Sequence, residues 1–184
     1  MDLLLLNSDP LIALVILLSF TIAFLRGKLH ANMYLLFWIG VFLGLCWELP
    51  LFLMGNNPEG IPPYKLLAPF PIHPQLQWIS HSLWDGGLFM AGIALIKLSC
   101  PTPVFKKFSF RELGVFILFG IASALLLEVL GSFGIWEYIP NWWNPELFKV
   151  NGRSITALAP LTWMVVPTIF YLICLKLYPH AHDS

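Results

Sequence analysis

Charged side chains are scarce in this sequence. Only 11% of its 184 residues are charged, whereas a soluble domain has roughly 25%. The formal net charge is zero and no run of basic residues is present, which argues against a nucleic-acid partner. The three cysteines, Cys46, Cys100 and Cys174, are far apart and lack a CxxC spacing. We therefore interpret them as small apolar residues rather than as a disulfide or metal framework.

Apolar side chains make up most of the chain. Hydrophobic residues account for 58% of the sequence, and the mean hydropathy is +0.78. A core of this size cannot hide so many apolar groups from water, so lipid is the expected solvent. The length predicts a single domain over residues 1–184, in a membrane that the chain crosses several times.

Five apolar segments predict an all-α bundle of about five transmembrane helices, because each segment reaches or approaches the roughly 20 residues that a bilayer requires. Asp9 is the expected N-cap of the first helix, with Pro10 at its first helical position. Ser109 and Glu112 have the spacing of a capping box at the start of the fourth helix. The predicted segments are residues 10–25, 33–54, 76–98, 113–135 and 160–177.

Four ionisable residues lie inside the predicted spans: Glu48, His81, Asp85 and Glu128. Such residues are costly in hydrocarbon and usually face a cavity, a partner or a proton path. At a rise of 1.5 Å per residue, all four lie roughly 7–14 Å below the same membrane surface. His81 and Asp85 also share one helix face, because they are four residues apart. We expect the four side chains to line one cavity.

Aromatic residues are concentrated near that same level. Seven of the eight tryptophans, all but Trp38, lie in that half of the helices or in the two adjoining loops. Those loops either cap a cavity or form an interfacial aromatic belt, and the belt is favoured for the loop tryptophans. The loop residues concerned are Pro58, Pro62, Pro63, Pro69, Pro71 and Pro74, followed by Trp136, Tyr138, Trp142 and Trp143. The expected substrate-binding residues are Trp47, Trp78, Trp84 and Trp163.

The mixture of acids, histidine and tryptophans predicts proton-initiated chemistry. A carboxyl group among apolar atoms tends to keep its proton and can give it to an apolar substrate. A second carboxyl or a histidine can take a proton back. Tryptophan faces stabilise a positive charge between these two steps. We therefore expect a membrane isomerase or cyclase that acts on an isoprenoid, terpenoid or sterol-like lipid through a carbocation, without a cofactor.

Other interpretations of the polar residues remain open. Each intramembrane group could hydrogen-bond a neighbouring helix and only stabilise the bundle. The cluster could also be the ligand or proton site of a lipid-binding or transport protein without catalysis, or could join the helices of a partner. A metal is not expected, because one histidine is few for zinc or iron and the sequence has no multi-histidine box.

Three segments carry a family resemblance. They are Trp47-Glu48-Leu49-Pro50, Ser82-Leu83-Trp84-Asp85-Gly86-Gly87-Leu88 and Trp163-Met164-Val165-Val166-Pro167, and they resemble the emopamil-binding family of sterol isomerases and sigma-2-type receptors. The resemblance covers the chain from the second helix onward. It implies that Glu48 and Trp163 lie in a membrane cavity where a sterol double bond is shifted by protonation. Trp47-Glu48, followed by later membrane acids, is also similar to the small integral-membrane terpene cyclases of meroterpenoid pathways.

The four ionisable residues have different expected functions. Glu128 is the expected proton donor, since it lies among apolar residues and has no Lys or Arg at helical spacing. Asp85 together with His81 is the expected base, because a histidine one turn away can share its proton. Glu48 is expected to stabilise charge or to exchange roles with Glu128.

The distribution of basic residues predicts the orientation of the bundle. Seven of the ten Lys and Arg residues lie in or beside the first and third loops and the C-terminal tail, and three lie in the other loops. The positive-inside rule then places the N-terminus outside and the C-terminus in the cytoplasm. Single cysteines that replace Lys65 and Lys106 should react with a membrane-impermeant reagent from opposite sides. Labelling of both positions from one side would contradict this topology.

Overall fold

The computed structural model describes residues 2–55, 62–67 and 73–178. Five helices make up most of these residues, and each is long and apolar enough to cross a membrane. The predicted all-α bundle of membrane-spanning helices is therefore confirmed. The helices are α1 (Asp2–Leu25), α2 (Ala31–Gly55), α3 (Gln77–Ser99), α4 (Phe110–Gly131) and α5 (Leu158–Leu177).

Two helix ends differ from the predicted ones by four residues or more, and the other ends lie within three residues of the prediction. Helix α1 begins at Asp2, so Asp9 lies inside the helix and is not its N-cap. The reason is that residues 3–6 are all leucine and extend the apolar run to the N-terminal side of Asp9. Helix α4 ends at Gly131 rather than at residue 135, and Ser132 is its C-cap. The chain then turns through Gly134, whose φ of 131° suits glycine.

The predicted N-cap at Ser109 is confirmed, but the capping box is only half formed. The Ser109 hydroxyl oxygen accepts the backbone N–H of Glu112 at 3.4 Å. The Glu112 carboxylate does not return to Ser109. It accepts the backbone N–H of Phe105 at 3.2 Å and the hydroxyl of Tyr171 at 3.0 Å. These bonds fasten the loop between α3 and α4 to α5.

Short strands lie in the loops that follow α2 and α4, and the sequence analysis did not predict them. Strand β1 (Tyr64–Leu66) pairs with β2 (Trp136–Tyr138), and β3 (Glu146–Val150) pairs with β4 (Arg153–Thr156), both antiparallel. Asn151 and Gly152, between β3 and β4, have φ values of 52° and 75°, as a type I′ turn requires. Pro58, Pro69 and Pro71 of the expected loops lie outside the described residues.

Glycines allow α2 and α3 to pack at close range. Gly40 lies against Phe89. Gly44, one turn later on α2, lies against Asp85, one turn earlier on α3. A Cβ atom at Gly44 would be 2.6 Å from Asp85 Oδ2. This spacing of four residues on both helices shows that they run antiparallel and that their register is fixed at each turn.

An aromatic cluster forms the centre of the bundle. The ring of Phe89 stacks on Phe170 with centroids 4.5 Å apart and on Trp163 at 5.2 Å. Phe116 meets Phe89 and Phe170 edge to face. Three helices are joined by these rings, because Phe89 belongs to α3, Phe116 to α4, and Phe170 and Trp163 to α5.

The contact between α3 and α4 can be tested with a glycine pair. A Cβ atom at Gly92 would overlap the ring of Phe116, which is fully buried and cannot move aside. We expect Gly92→Ala to destabilise the fold by about 1–3 kcal/mol, as overpacked cores are. Gly114 has open space around it, so Gly114→Ala should leave stability unchanged or raise it by up to about 1 kcal/mol.

Thermal unfolding of the two variants in detergent would measure these effects. The same melting temperature in both would show that α3 and α4 do not pack closely at Gly92.

Candidate functional site

A cavity of about 170 Å³ lies at the end of the bundle where α2 ends and α3 begins. Its walls come from all five helices and from β1 and β2. The structure brings all four predicted ionisable residues to this cavity, with three of the four predicted tryptophans. These lining residues are Glu48, His81, Asp85, Glu128, Trp47, Trp84 and Trp163. Trp78 is not among the described lining residues, and its backbone oxygen accepts the hydroxyl of Ser82 at 2.6 Å.

A chain of hydrogen bonds joins three helices in one wall of the cavity. His81 Nε2 lies 2.8 Å from Asp9 Oδ2, and His81 Nδ1 lies 3.1 Å from Glu48 Oε2. Asp9 belongs to α1, Glu48 to α2 and His81 to α3. We call these three residues the Asp9–His81–Glu48 chain. Both ring nitrogens of His81 are therefore engaged by carboxyl groups of other helices.

Neighbouring donors hold the two outer members of the chain. The hydroxyl of Ser80 donates to Asp9 Oδ1 at 2.5 Å, and the indole N–H of Trp84 donates to the backbone oxygen of Asp9 at 3.1 Å. The indole N–H of Trp47 donates to Glu48 Oε1 at 3.1 Å. Carboxyl groups whose oxygens accept such hydrogen bonds cannot rotate freely, so the Asp9–His81–Glu48 chain is preorganised.

Asp85 is placed differently from the sequence-based prediction. It was expected to pair with His81, but both nitrogens of that ring are taken by Asp9 and Glu48. Asp85 is 6% exposed, and no residue of the described ranges bonds its Oδ2 atom. It lies one turn deeper than His81, against Gly44, whose missing side chain provides the space.

Glu128 faces the same cavity from α4. It is 4% exposed, and its Oε2 atom accepts the backbone N–H of Thr156 at 3.2 Å, just before α5 begins. Its Oε1 atom has no hydrogen-bond partner within the described part of the chain. We call Asp85 Oδ2 and Glu128 Oε1 the open oxygens. Because a buried polar atom without a partner is costly, both atoms suggest a ligand or water in the cavity.

Aromatic rings surround the polar wall. Trp47 meets Trp163 edge to face with centroids 5.9 Å apart. Trp136 of β2 lies 5.8 Å from the His81 ring, and its indole fills the space beside Gly131. The ring faces of tryptophan attract a positive charge when water is excluded.

Two tyrosines of the strands complete the lining. Burial raises the pKa of Tyr64 above its ordinary 10.0, and the carboxylate of Glu48 raises it further. Burial also raises the pKa of Tyr138, with Glu48 and Glu128 adding to the effect. Both phenols therefore keep their protons at neutral pH, which leaves each O–H able to donate a hydrogen bond to a bound molecule.

Sequence reasoning missed several lining residues, among them Asp9, Tyr64, Trp136 and Tyr138. The four leucines before Asp9 were the available signal, because they place this acid within the apolar run. Trp136 and Tyr138 were noted only as members of a loop that could cap a cavity. Trp142 of the same loop is 90% exposed, as the belt interpretation expects.

The comparisons with known proteins add no assignment to this site. No family model, curated protein or solved structure matches the chain. The family resemblance of the three sequence segments therefore stays a prediction.

The raised pKa of Tyr138 predicts a pH dependence of stability. The folded protein keeps the phenol protonated, whereas the unfolded chain ionises it near pH 10, so the stabilisation is present below that pH. It is lost as the pH rises towards the folded-state pKa, at about 1.4 kcal/mol per pH unit. Tyr138→Phe should remove this part of the loss. Unfolding curves recorded above pH 10 would contradict the assignment if wild type and variant lose stability equally.

Proposed function

We propose that this protein is an integral-membrane isomerase or cyclase that protonates a double bond of an isoprenoid or sterol-like lipid. The observation that carries the proposal is the cavity, which combines the two open oxygens with the rings of Trp47 and Trp163. Carboxyl oxygens without partners can exchange a proton with a bound molecule. Tryptophan rings beside them suit a positively charged intermediate.

In the proposed reaction the protein gives one proton to the substrate and later takes one proton back from it. Protonation of a carbon–carbon double bond leaves a carbocation, which the rings stabilise. Asp85 then removes a proton from a neighbouring carbon, through its open oxygen. Loss of that proton forms a new double bond, after migration or ring closure. A general acid or base of this kind accelerates a reaction by about 10²–10⁴-fold.

Two carboxyl groups are candidates for the proton donor. Glu128, the donor expected from the sequence, has an open oxygen, but its other oxygen is bound to the backbone before α5. Glu48, expected to exchange roles with Glu128, shares a hydrogen bond with His81. Comparison of Glu128→Gln with Glu48→Gln separates them, because each variant keeps the shape and removes one acid.

The size of the cavity restricts the substrate. Typical ligand pockets enclose about 300–1,000 Å³, and this cavity of about 170 Å³ is smaller. A cavity of about 150 Å³ is enough for a benzene ring. The proposed substrate therefore places one isoprene unit or one ring in the cavity, and the rest of the molecule extends into the membrane.

The orientation of the protein is part of the proposal. Helices α2 and α4 end beside the cavity, and α3 and α5 begin there. With the N-terminus outside, as the basic residues predict, the cavity lies in the outer half of the membrane. The substrate would then enter from that leaflet.

Expression in an isoprenoid-rich host tests the proposal. Mass spectrometry of the extracted lipids should show a new isomer or cyclised product with wild type. Asp85→Asn should abolish that product while the protein remains folded, and Trp163→Phe should reduce the rate more mildly. Glu146→Gln is the matched control, since Glu146 lies in β3 and is not a lining residue.

Two outcomes would count against catalysis. Product formation by Asp85→Asn at the wild-type rate would exclude Asp85 as the base. A lipid that copurifies with wild type and is never converted would favour the alternative, a lipid-binding or transport protein. The open oxygens and the aromatic wall would then hold the ligand.

A further inference from the structure

The Asp9–His81–Glu48 chain contains two nitrogen–oxygen contacts of 2.8 and 3.1 Å. Each contact needs a proton between its two atoms, because an unprotonated nitrogen facing a carboxylate would be repelled. Two protons, one in each contact, can be arranged in three ways that do not leave the ring as an imidazolate anion. Both can be on the ring between two carboxylates, or one can be on the ring and the other on Asp9 or on Glu48.

The three arrangements have the same number of protons and the same net charge of one negative. Each arrangement with one ring proton differs from the imidazolium form in the position of one proton, and the two extremes differ from each other in the positions of both. In the first extreme, Asp9 donates its O–H to Nε2 while Nδ1–H donates to Glu48. In the second, Nε2–H donates to Asp9 while Glu48 donates its O–H to Nδ1. Each extreme forms from the imidazolium when one ring proton moves to the carboxylate that it faces.

We propose that Asp9, His81 and Glu48 are a proton store whose one mobile proton starts the reaction, in place of the proton of Glu128. The inference rests on the proposed function and adds Asp9, which the sequence analysis had treated as a helix cap. Asp9 and Glu48 both line the cavity. Ser80 and Trp47 hold the carboxyl oxygens that the chain does not use.

The proton balance closes within the cavity. Glu48 turns its O–H away from His81 Nδ1 and gives the proton to an alkene carbon, so the hydrogen bond to the ring and the O–H bond break, a C–H bond forms and the π electron pair is consumed. The carbocation loses a proton from a neighbouring carbon to Asp85, and the released electron pair forms the new double bond. Asp85 then returns the proton to Glu48, and the store is restored without a further reactant.

The position of Asp85 is the second observation behind the inference. Its open oxygen is buried and lies in the same cavity. Asp85 follows His81 by one turn of α3, and the Gly44 beside it precedes Glu48 by one turn of α2. Because each step is four residues, Asp85 lies roughly 6 Å along the bundle from the level of the His81–Glu48 contact. Asp85 and Glu48 line the same cavity, and the proton returns across it.

Asp9→Asn is a sharp test because the amide can keep both contacts. Its N–H₂ group donates to Nε2, and Nδ1–H donates to Glu48, so the net charge is retained and the mobile proton is lost. Nitrogen-15 NMR of labelled histidine shows directly which ring nitrogen carries a proton, and His81→Gln identifies the signal of His81. We expect a shared proton in wild type, a fixed Nδ1–H ring in Asp9→Asn and a fixed Nε2–H ring in Glu48→Gln.

Turnover provides the second readout. Asp9→Asn should lower kcat by about a hundredfold or more, with little change in KM, as loss of a general acid does. Ser80→Ala removes only a hydrogen bond to Asp9 and should lower kcat less than about tenfold. A merely structural role of Asp9 would give the opposite order.

The two proposals can fail separately. An NMR spectrum that Asp9→Asn does not change would overturn the proton store, whether or not a lipid is converted. So would turnover of Asp9→Asn at the wild-type rate. Absence of lipid conversion by wild type, together with the expected spectra, would instead overturn the proposed function.

Discussion

The hydrogen bonds of His81 hold together three helices that are long and apolar enough to cross a membrane. Within hydrocarbon no water replaces a lost partner, so a polar side chain there must find its bonds in the protein. Asp9 and Glu48 supply these bonds from α1 and α2. The register of the three helices follows, and it places Asp85 against Gly44 one turn below. The cavity and its open oxygens depend on this arrangement.

The bundle and the convergence of its acids could be predicted because a membrane fixes one coordinate. Apolar length defines where each helix crosses, and the rise per residue then gives the depth of every side chain. Glu48, His81, Asp85 and Glu128 fall at one depth by this reasoning, and they line one cavity. Depth alone does not give rotation about the helix axis.

The partners of each acid could not be predicted, because pairing depends on which helices are neighbours. His81 has Asp85 one turn away on its own helix, yet its ring bonds Asp9 and Glu48 of adjoining helices. The strands were missed for another reason. Asn151-Gly152 is a strong hairpin signal, but the long apolar segments on either side dominate the sequence pattern. Asp9 was misread because an acid before a proline also fits a helix start.

The ladder between β1 and β2 has a mechanical consequence for the cavity. Helices α2 and α3 pack closely as one group, α4 and α5 as another, and the cavity lies between the two groups. Strand β1 follows the first member of one group, and β2 follows the first member of the other. The ladder thus joins the two groups of helices beside the cavity. A guest that parts the two groups beside the cavity would have to lengthen or break this three-residue ladder.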